Sequence, residues 1–540
     1  MRSFPFLGRL LAVVTFAFAL GLAAAPARAQ TVWSTDQDIS DGDVNDTFTS
    51  QNNQRLAAVD DSNNLYFVFF DNRNKTLSDN NFEIYFRRFT YNFGSPSITR
   101  VTNAQNMSKY PSIAVLDWGL GDSATVNDSG RVYLVWQDAR DYSIPALGEP
   151  KAYSIYFRTY QSQGGDAFGP EIRVSAIDSV NTAANPVIAT DTFHNAWLVW
   201  QTVINGSGVT DLYCSTYNGA TRVMGAPTVL VNNTGVSRDP SLTADRFGNV
   251  YLVWTDTRTG GNQIWWKQYT PGVGWGADTQ IVFSSGSAST PSITADYDGR
   301  LHLVWVDNRG GNNDIFYKLY TPGVGWDAVD TQLTVDASSQ TQPYVDADPI
   351  GNAYVVWTDL RNGASNPDIY YKDKKAGTWS SDFQLVGNNT DNNSNAVQRF
   401  AGLSHDGLGN TYAVWEDERL PASIGKNKDV FYKVGQFNVT AAPLAPPVFS
   451  SRLLKTFPNP FNPEATIRFE LARDTQVTLR AYDVRGRAVR TILSGYLAAG
   501  PREVRWDGRD ESGRSLPSGT YFLRLQAGRD SRSSTVTLLK

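Results

Sequence analysis

The chain has 540 residues, 12% of them aromatic with 15 tryptophans, and a single cysteine, Cys214. It is too long for one ordinary domain, and one cysteine excludes an intramolecular disulfide, so packed cores must supply the stability. A formal net charge of −5 argues against nucleic acid or an anionic membrane surface as partner.

Residues 1–29 read as a secretory signal peptide. Arg2 and Arg9 supply a positive start, residues 10–25 are apolar, and Ala27-Arg28-Ala29 forms a small-residue cleavage site before Gln30. The apolar core is too short for an anchoring helix, and no other stretch approaches the ~20 apolar residues of a membrane span. The expected product is an exported, monomeric protein, secreted or held at the cell surface, without a transmembrane helix. Cleavage removes Arg2, Arg9 and Arg28 from the 48 basic residues and none of the 53 acids, so the mature net charge is −8. Residues 30–452 hold 30 basic and 44 acidic side chains, net −14, while residues 453–540 hold 15 and 9, net +6.

Between residues 30 and 436 one pattern recurs seven times: an Asp, a turn, a short apolar strand ending in an aromatic, then an acid and an arginine. Asp245-Arg-Phe-Gly-Asn-Val-Tyr-Leu-Val-Trp254-Thr-Asp256-Thr-Arg258 is a clear copy. The aligned aromatics are Phe69, Trp136, Trp200, Trp254, Trp305, Trp357 and Trp415. A period of this size with several short strands per unit marks a propeller. In the fifth copy four strands are expected, at residues 291–295, 301–305, 314–320 and 331–335. The second is apolar almost throughout, as a strand buried on both faces must be. Seven such units predict an all-β fold, a seven-bladed β-propeller; a two-sheet sandwich has no reason to repeat one motif seven times. The seventh unit stops at its third strand, and residues 32–39 look like a fourth strand without a unit before it. The ring is therefore expected to close by pairing the two chain ends, which removes open edges. Residues 437–452, with Ala-Pro-Leu-Ala-Pro-Pro, read as a stiff linker.

The sharpest candidate site is the acid–arginine element: Asp71/Arg73, Asp138/Arg140, Asp256/Arg258, Asp307/Arg309, Asp359/Arg361 and Asp417/Arg419. An Asp and an Arg two residues apart suit a carboxylate or a cluster of sugar hydroxyls. A feature repeated in six blades is more often scaffold, with each Arg reaching a neighbouring blade's Asp or carbonyl. The third unit has Thr202 and Ile204 instead. No catalytic residue is assigned. Glu149, Glu171, Glu416 and Glu418 are unrepeated acids, and a glycosidase needs two carboxyl groups in reach of one bond. His194, His302 and His405 lack ligand spacing and Cys214 lacks a nearby base, so no metal centre or cofactor is expected. The acidic loops at residues 78–83 and 308–314 are the places where Ca²⁺ is conceivable, without an EF-hand pattern.

Residues 453–540 carry Phe457-Pro-Asn-Pro-Phe-Asn-Pro463, Val477-Thr-Leu-Arg-Ala-Tyr-Asp-Val-Arg-Gly-Arg487, Trp506-Asp-Gly-Arg-Asp510 and Leu516-Pro-Ser-Gly-Thr-Tyr-Phe-Leu-Arg-Leu525 in order. This segment resembles the C-terminal sorting domains of type IX secretion cargo and, equally, the immunoglobulin-like domain of the flagellar hook-capping family. The resemblance implies a small β-sandwich read by the outer-membrane secretion machinery. The propeller is at most distantly sialidase-like, since sialidase Ser-x-Asp-x-Gly-x-x-Trp boxes are absent. The expected function is noncatalytic binding of glycan or protein at the cell surface; a sialidase-like glycoside hydrolase is the alternative.

Overall fold

A computed structural model describes residues 31–34, 36–40, 56–60, 64–73, 81–89, 98–104, 106–115, 131–142, 152–161, 167–175, 181–204, 208–348, 351–386, 396–406, 410–419, 429–437, 452–457, 459–471, 475–497, 500–527 and 530–539. The signal peptide with its Ala29/Gln30 cleavage site, Glu149 and most of the linker lie outside these residues.

Seven antiparallel sheets form the seven-bladed β-propeller. Blade 1 runs through Ala57–Val59, Leu65–Asp71, Glu83–Phe89 and Thr99–Arg100. Blade 2 begins with Ser108–Val115, Arg131–Asp138 and Ser154–Gln161, blade 3 with Thr182–Thr190, Asn195–Ile204 and Val209–Asn218, and blade 4 with Ser237–Ala244, Val250–Asp256 and Gln263–Thr270. Blade 5 uses Ala288–Ala295, Leu301–Asp307 and Asp314–Thr321; blade 6 uses Gln340–Ala347, Ala353–Asp359 and Asp368–Lys375. Blade 7 consists of Gln398–His405, Thr411–Asp417 and Asp429–Phe437, completed from the other end of the chain by Thr31–Trp33 and Gln37–Asp38.

The second strands are apolar on both faces because each blade is packed between two others. Trp136, Trp254, Trp305, Trp357 and Trp415 are fully buried. The cores lie between blades: Tyr133 and Phe157 of blade 2 pack with Trp200 and Tyr217 of blade 3, and Tyr251 and Ile264 of blade 4 with Leu303 and Trp305 of blade 5.

Two strand expectations need correction. In blade 5 the first strand starts three residues before Pro291, and its pairing with the second strand shifts between Ser289 and Ser292. Thr290 there has φ 49°, and Tyr110, Asn185, Asp239 and Gln342, each also preceding a proline, share that left-handed backbone. Proline has no N–H to give a ladder, so a bulge is where a strand can carry it. The preceding blade compensates: Asn185, Asp239 and Thr290 donate their backbone N–H to Gln137 Oε1 (3.1 Å), Gln201 Oε1 (3.2 Å) and Thr255 Oγ1 (3.1 Å). The fourth strand is not one run at residues 331–335 but two short pieces, Gly325–Trp326 and Thr331–Gln332, both paired with Asp314–Thr321. Val335 is solvent-exposed.

Ring closure is explicit in the register. Thr31, Val32 and Trp33 pair with Phe437, Gln436 and Gly435, and Gln37 and Asp38 with Tyr432 and Phe431. Residues 452–539 form a separate immunoglobulin-like β-sandwich. One sheet holds Arg452–Phe457, Ala465–Leu471 and Gly500–Trp506; the other holds Ala488–Leu497, Thr475–Tyr482, Gly519–Ala527 and Asp530–Leu538. Strict alternation in the middle strands turns Val477, Leu479, Leu523 and Leu525 inward onto Phe469 and Trp506.

Candidate functional site

Each acid–arginine element sits where the second strand ends. The aspartates Asp71, Asp138, Asp256, Asp307, Asp359 and Asp417 are buried, and the arginines are partly exposed. In blade 5 the Arg309 amide donates to Asp307 Oδ1 at 2.9 Å and Arg309 Nη2 to Asp307 Oδ2 at 2.6 Å. Trp305 Nε1 donates to the same Oδ2 at 3.2 Å, and Ser284 Oγ, on the chain arriving from blade 4, donates to Oδ1 at 2.7 Å. Burial pushes the Asp307 carboxyl up, but the Arg309, Ser284 and Trp305 hydrogen bonds hold it below the usual carboxylate range. Asp256 is held low in the same way by Arg258 and Trp254.

The arginines are also spoken for on their other side. Arg258 Nη1 bonds Asp278 at 2.9 Å, Arg309 Nη1 bonds Asp330 at 2.8 Å, Arg361 Nη2 bonds Asp382 at 3.0 Å, and Arg419 Nη1 meets Asp36 at 2.6 Å. Arg140 pairs with Glu171, and Arg73 Nη2 donates to the Ser40 carbonyl at 3.0 Å. A third-strand lysine grips the same second acid: Lys267 with Asp278 (2.7 Å), Lys318 with Asp330 (2.9 Å), Lys372 with Asp382 (2.9 Å) and Lys433 with Asp36 (2.7 Å). That lysine then donates to a carbonyl on the preceding blade: Leu230, Ile281, Leu333 and Leu385 at 2.9, 3.0, 2.6 and 3.0 Å. The expectation that arginine itself reaches the neighbouring blade is thus corrected for five of the six elements. Arg140, Arg258, Arg309, Arg361 and Arg419 turn outward along their own blades, and in blades 4 to 7 lysine crosses the gap. Arg73 alone of the six keeps the expected contact, reaching the Ser40 carbonyl of blade 7.

The third strand also places an aromatic ring under each guanidinium. Centroid distances are 4.7 Å for Arg73 over Tyr85, 4.3 Å for Arg140 over Tyr156, 4.3 Å for Arg258 over Trp265, 4.5 Å for Arg309 over Phe316, 4.0 Å for Arg361 over Tyr370 and 4.5 Å for Arg419 over Phe431. These contacts account for the repeated Ile-aromatic-aromatic-Lys of the third strand: its first aromatic supports the arginine and its lysine holds the second acid. In blade 3, where Asp and Arg are missing, the second and third strands run on as a hairpin to Ile204↔Val209.

Of the unrepeated glutamates, Glu171 takes the place that Asp278 and Asp330 hold in other blades. Glu416, fully buried, and Glu418 both meet Arg399, at 3.3 and 3.0 Å. His302 is buried between Tyr317 (2.9 Å) and Asp296 (3.3 Å), and His405 Nδ1 lies 2.9 Å from Asp346. Cys214 is buried against Thr228, and burial raises its thiol. Among the described residues no group of three or more His, Cys, Asp or Glu is placed to hold a metal ion, and no helix is long and apolar enough to cross a membrane. In the 308–314 loop, Asn308 accepts the Ser287 N–H and Asn312 donates to the Asp336 and Ser338 carbonyls.

Residues 459–531 match the family described as the FlgD Ig-like domain. No curated protein matches the chain. Among solved structures it is similar to a protein of unknown function from Dyadobacter fermentans (10% identity, 75% of this chain and 99% of that one, TM-score 0.41). It is also similar to the polysaccharide lyase Uly1 (9%, 75% and 100%, TM-score 0.46) and to an intramolecular trans-sialidase from Ruminococcus gnavus (13%, 63% and 96%, TM-score 0.37). At these identities the likeness speaks to fold alone.

Proposed function

We propose that this protein is an exported binding module. Residues 30–436 form a noncatalytic propeller that recognises glycan or protein at the cell surface, residues 437–452 are a spacer, and residues 453–540 serve secretion or attachment. The observation that carries this reading is the state of the acid–arginine elements. Each aspartate is filled by its own arginine and neighbours, and five of the arginines are shared with a second acid, so the repeat does structural work and presents no reactive pair. We assign these twelve residues to scaffolding rather than to ligand.

One cluster favours the second reading, a sialidase-like glycoside hydrolase. Arg399 with Glu416 and Glu418 is an unrepeated acid–arginine group of the kind such chemistry would need. A glycan array probed with residues 30–540, run beside a hydrolysis screen over glycoside substrates, separates the two. Binding without turnover is expected. Turnover that is lost in Glu416→Gln or Glu418→Gln would replace the binding reading with the hydrolase.

A further inference from the structure

At the opposite end of the second strands, the tight turns of blades 3, 4 and 5 carry a different set of side chains. Phe193 is 56% exposed and Phe247 54% exposed, on consecutive blades. Each ring is backed by the glycine of the next turn. A Cβ at Gly248 (φ +83°) would lie 2.2 Å from Phe193 Cε2, and one at Gly299 (φ +77°) 3.3 Å from Phe247 Cε2. One edge or face of each phenyl is thus seated on backbone while the rest meets water.

Beside Phe247, towards the turn of blade 5, lies Arg246. Its guanidinium sits 4.8 Å from the Phe247 ring centroid and 4.0 Å from that of Tyr297. Among the described residues it has no carboxylate partner, and its buried Nε has no hydrogen-bond partner. Arg300, on the next turn, is instead held by Asp296 at 2.7 Å. An arginine left without an acid is conspicuous on a body of net charge −14. A guanidinium stacked on aromatic rings keeps its N–H edge directed away from them, which suits bidentate contact with an oxyanion.

We propose that Phe193, Arg246, Phe247 and Tyr297 form a binding site for a glycan bearing an oxyanion, a carboxylate or a sulfate. The apolar C–H face of a pyranose packs on the phenyl rings, and the oxyanion meets the guanidinium. The repetition of the phenyl from one blade to the next suits a linear chain of sugars. This inference rests on the reading of the propeller as a glycan-binding module and gives that module a ligand class and a face.

The test is calorimetric titration of residues 30–540 with oligogalacturonides, sulfated galactan oligosaccharides and neutral galactan oligosaccharides. At least one anionic series is expected to bind at least tenfold more tightly than the neutral one, and more weakly in high salt. Arg246→Ala and Phe247→Ala should each weaken that binding at least tenfold, with Arg246→Lys intermediate and melting temperatures unchanged. No binding of either anionic series, or anionic binding that both alanine variants retain, overturns the site. Neutral-glycan or protein binding that these variants leave intact overturns this site but leaves the binding function standing. Glycoside turnover would instead overturn the function itself.

Discussion

At the residue scale, the acid–arginine element is a desolvated charge network. Asp307 is inaccessible to solvent and Arg309 mostly covered, so removing the guanidinium strands a buried carboxylate. Breaking a fully buried pair costs ~3–5 kcal/mol and an exposed pair ~0–1 kcal/mol. Asp307 keeps Ser284, Trp305 and the main-chain amide after substitution, which places Arg309→Ala between those limits, at about 1–3 kcal/mol. Denaturation midpoints of Arg309→Ala beside Arg258→Ala and Arg361→Ala check this. Three unchanged midpoints would return these arginines to the list of ligand contacts. The sign with pH follows from the lowered Asp307: its contribution is full above the unfolded-state pKa near ~3.9 and is lost as pH falls through the folded value.

At the scale of the element, blade 7 shows how a terminal strand is made to act as an ordinary fourth strand. Asp36 stands where Asp330 stands in blade 5, binding both Arg419 and Lys433. Ser40 stands where Thr334 stands: it accepts the Val430 N–H at 3.2 Å and donates to Asp429 Oδ1 at 3.3 Å, as Thr334 does for Ile315 and Asp314. The cost lies in Asp429, buried with Asp38 close by and Asp417 and Asp71 beyond. Burial first and Asp38 second raise its carboxyl to about 7. An acid raised in the folded state stabilises the fold least at high pH. Its contribution is intact below ~4, where both states are protonated, and declines between ~4 and 7 as the unfolded chain alone ionises. Asp429→Asn should therefore be more stable than the native protein by about 1–2 kcal/mol at pH 8, with the difference closing towards pH 4. Chemical denaturation at the two pH values reads this directly, and an Asn variant weaker at pH 8 would show that the charge is compensated.

At the scale of the whole molecule, the ring is a set of blades whose cores lie between them, so an opening at one place exposes two surfaces. Phe67 and Phe69 of blade 1 pack with Tyr412 and Tyr432 of blade 7, and this seam is braced by the amino-terminal strand. Deleting residues 31–40 removes that strand, the acid shared by Arg419 and Lys433, and the Ser40 cap, leaving a bare strand edge. The expected outcome is a large fall in melting temperature together with concentration-dependent association in light scattering. A truncated chain that melts with the native one and stays monomeric would mean that the seam holds without the strand.

What the sequence determined by itself is what depends on local periodicity. The seven aligned aromatics, the doubly apolar second strands and the Asp turns specify blades, because a strand buried on both faces can be satisfied only between two like neighbours. The four spaced motifs after residue 453 were equally legible, since their turns and alternation are short-range. The tertiary structure decided what depends on the meeting of distant strands. Nothing local marks that Arg309 chooses Asp330 in its own blade, or that Lys318 carries the contact to Ile281 of the blade before. The left-handed bulge at Thr290 looked like an ordinary strand start at Pro291, because its stability comes from a Thr255 hydroxyl on another blade. Arg246 gave no signal at all. A charge is distinguished by the absence of a partner, and that absence exists only once the chain has been folded around it.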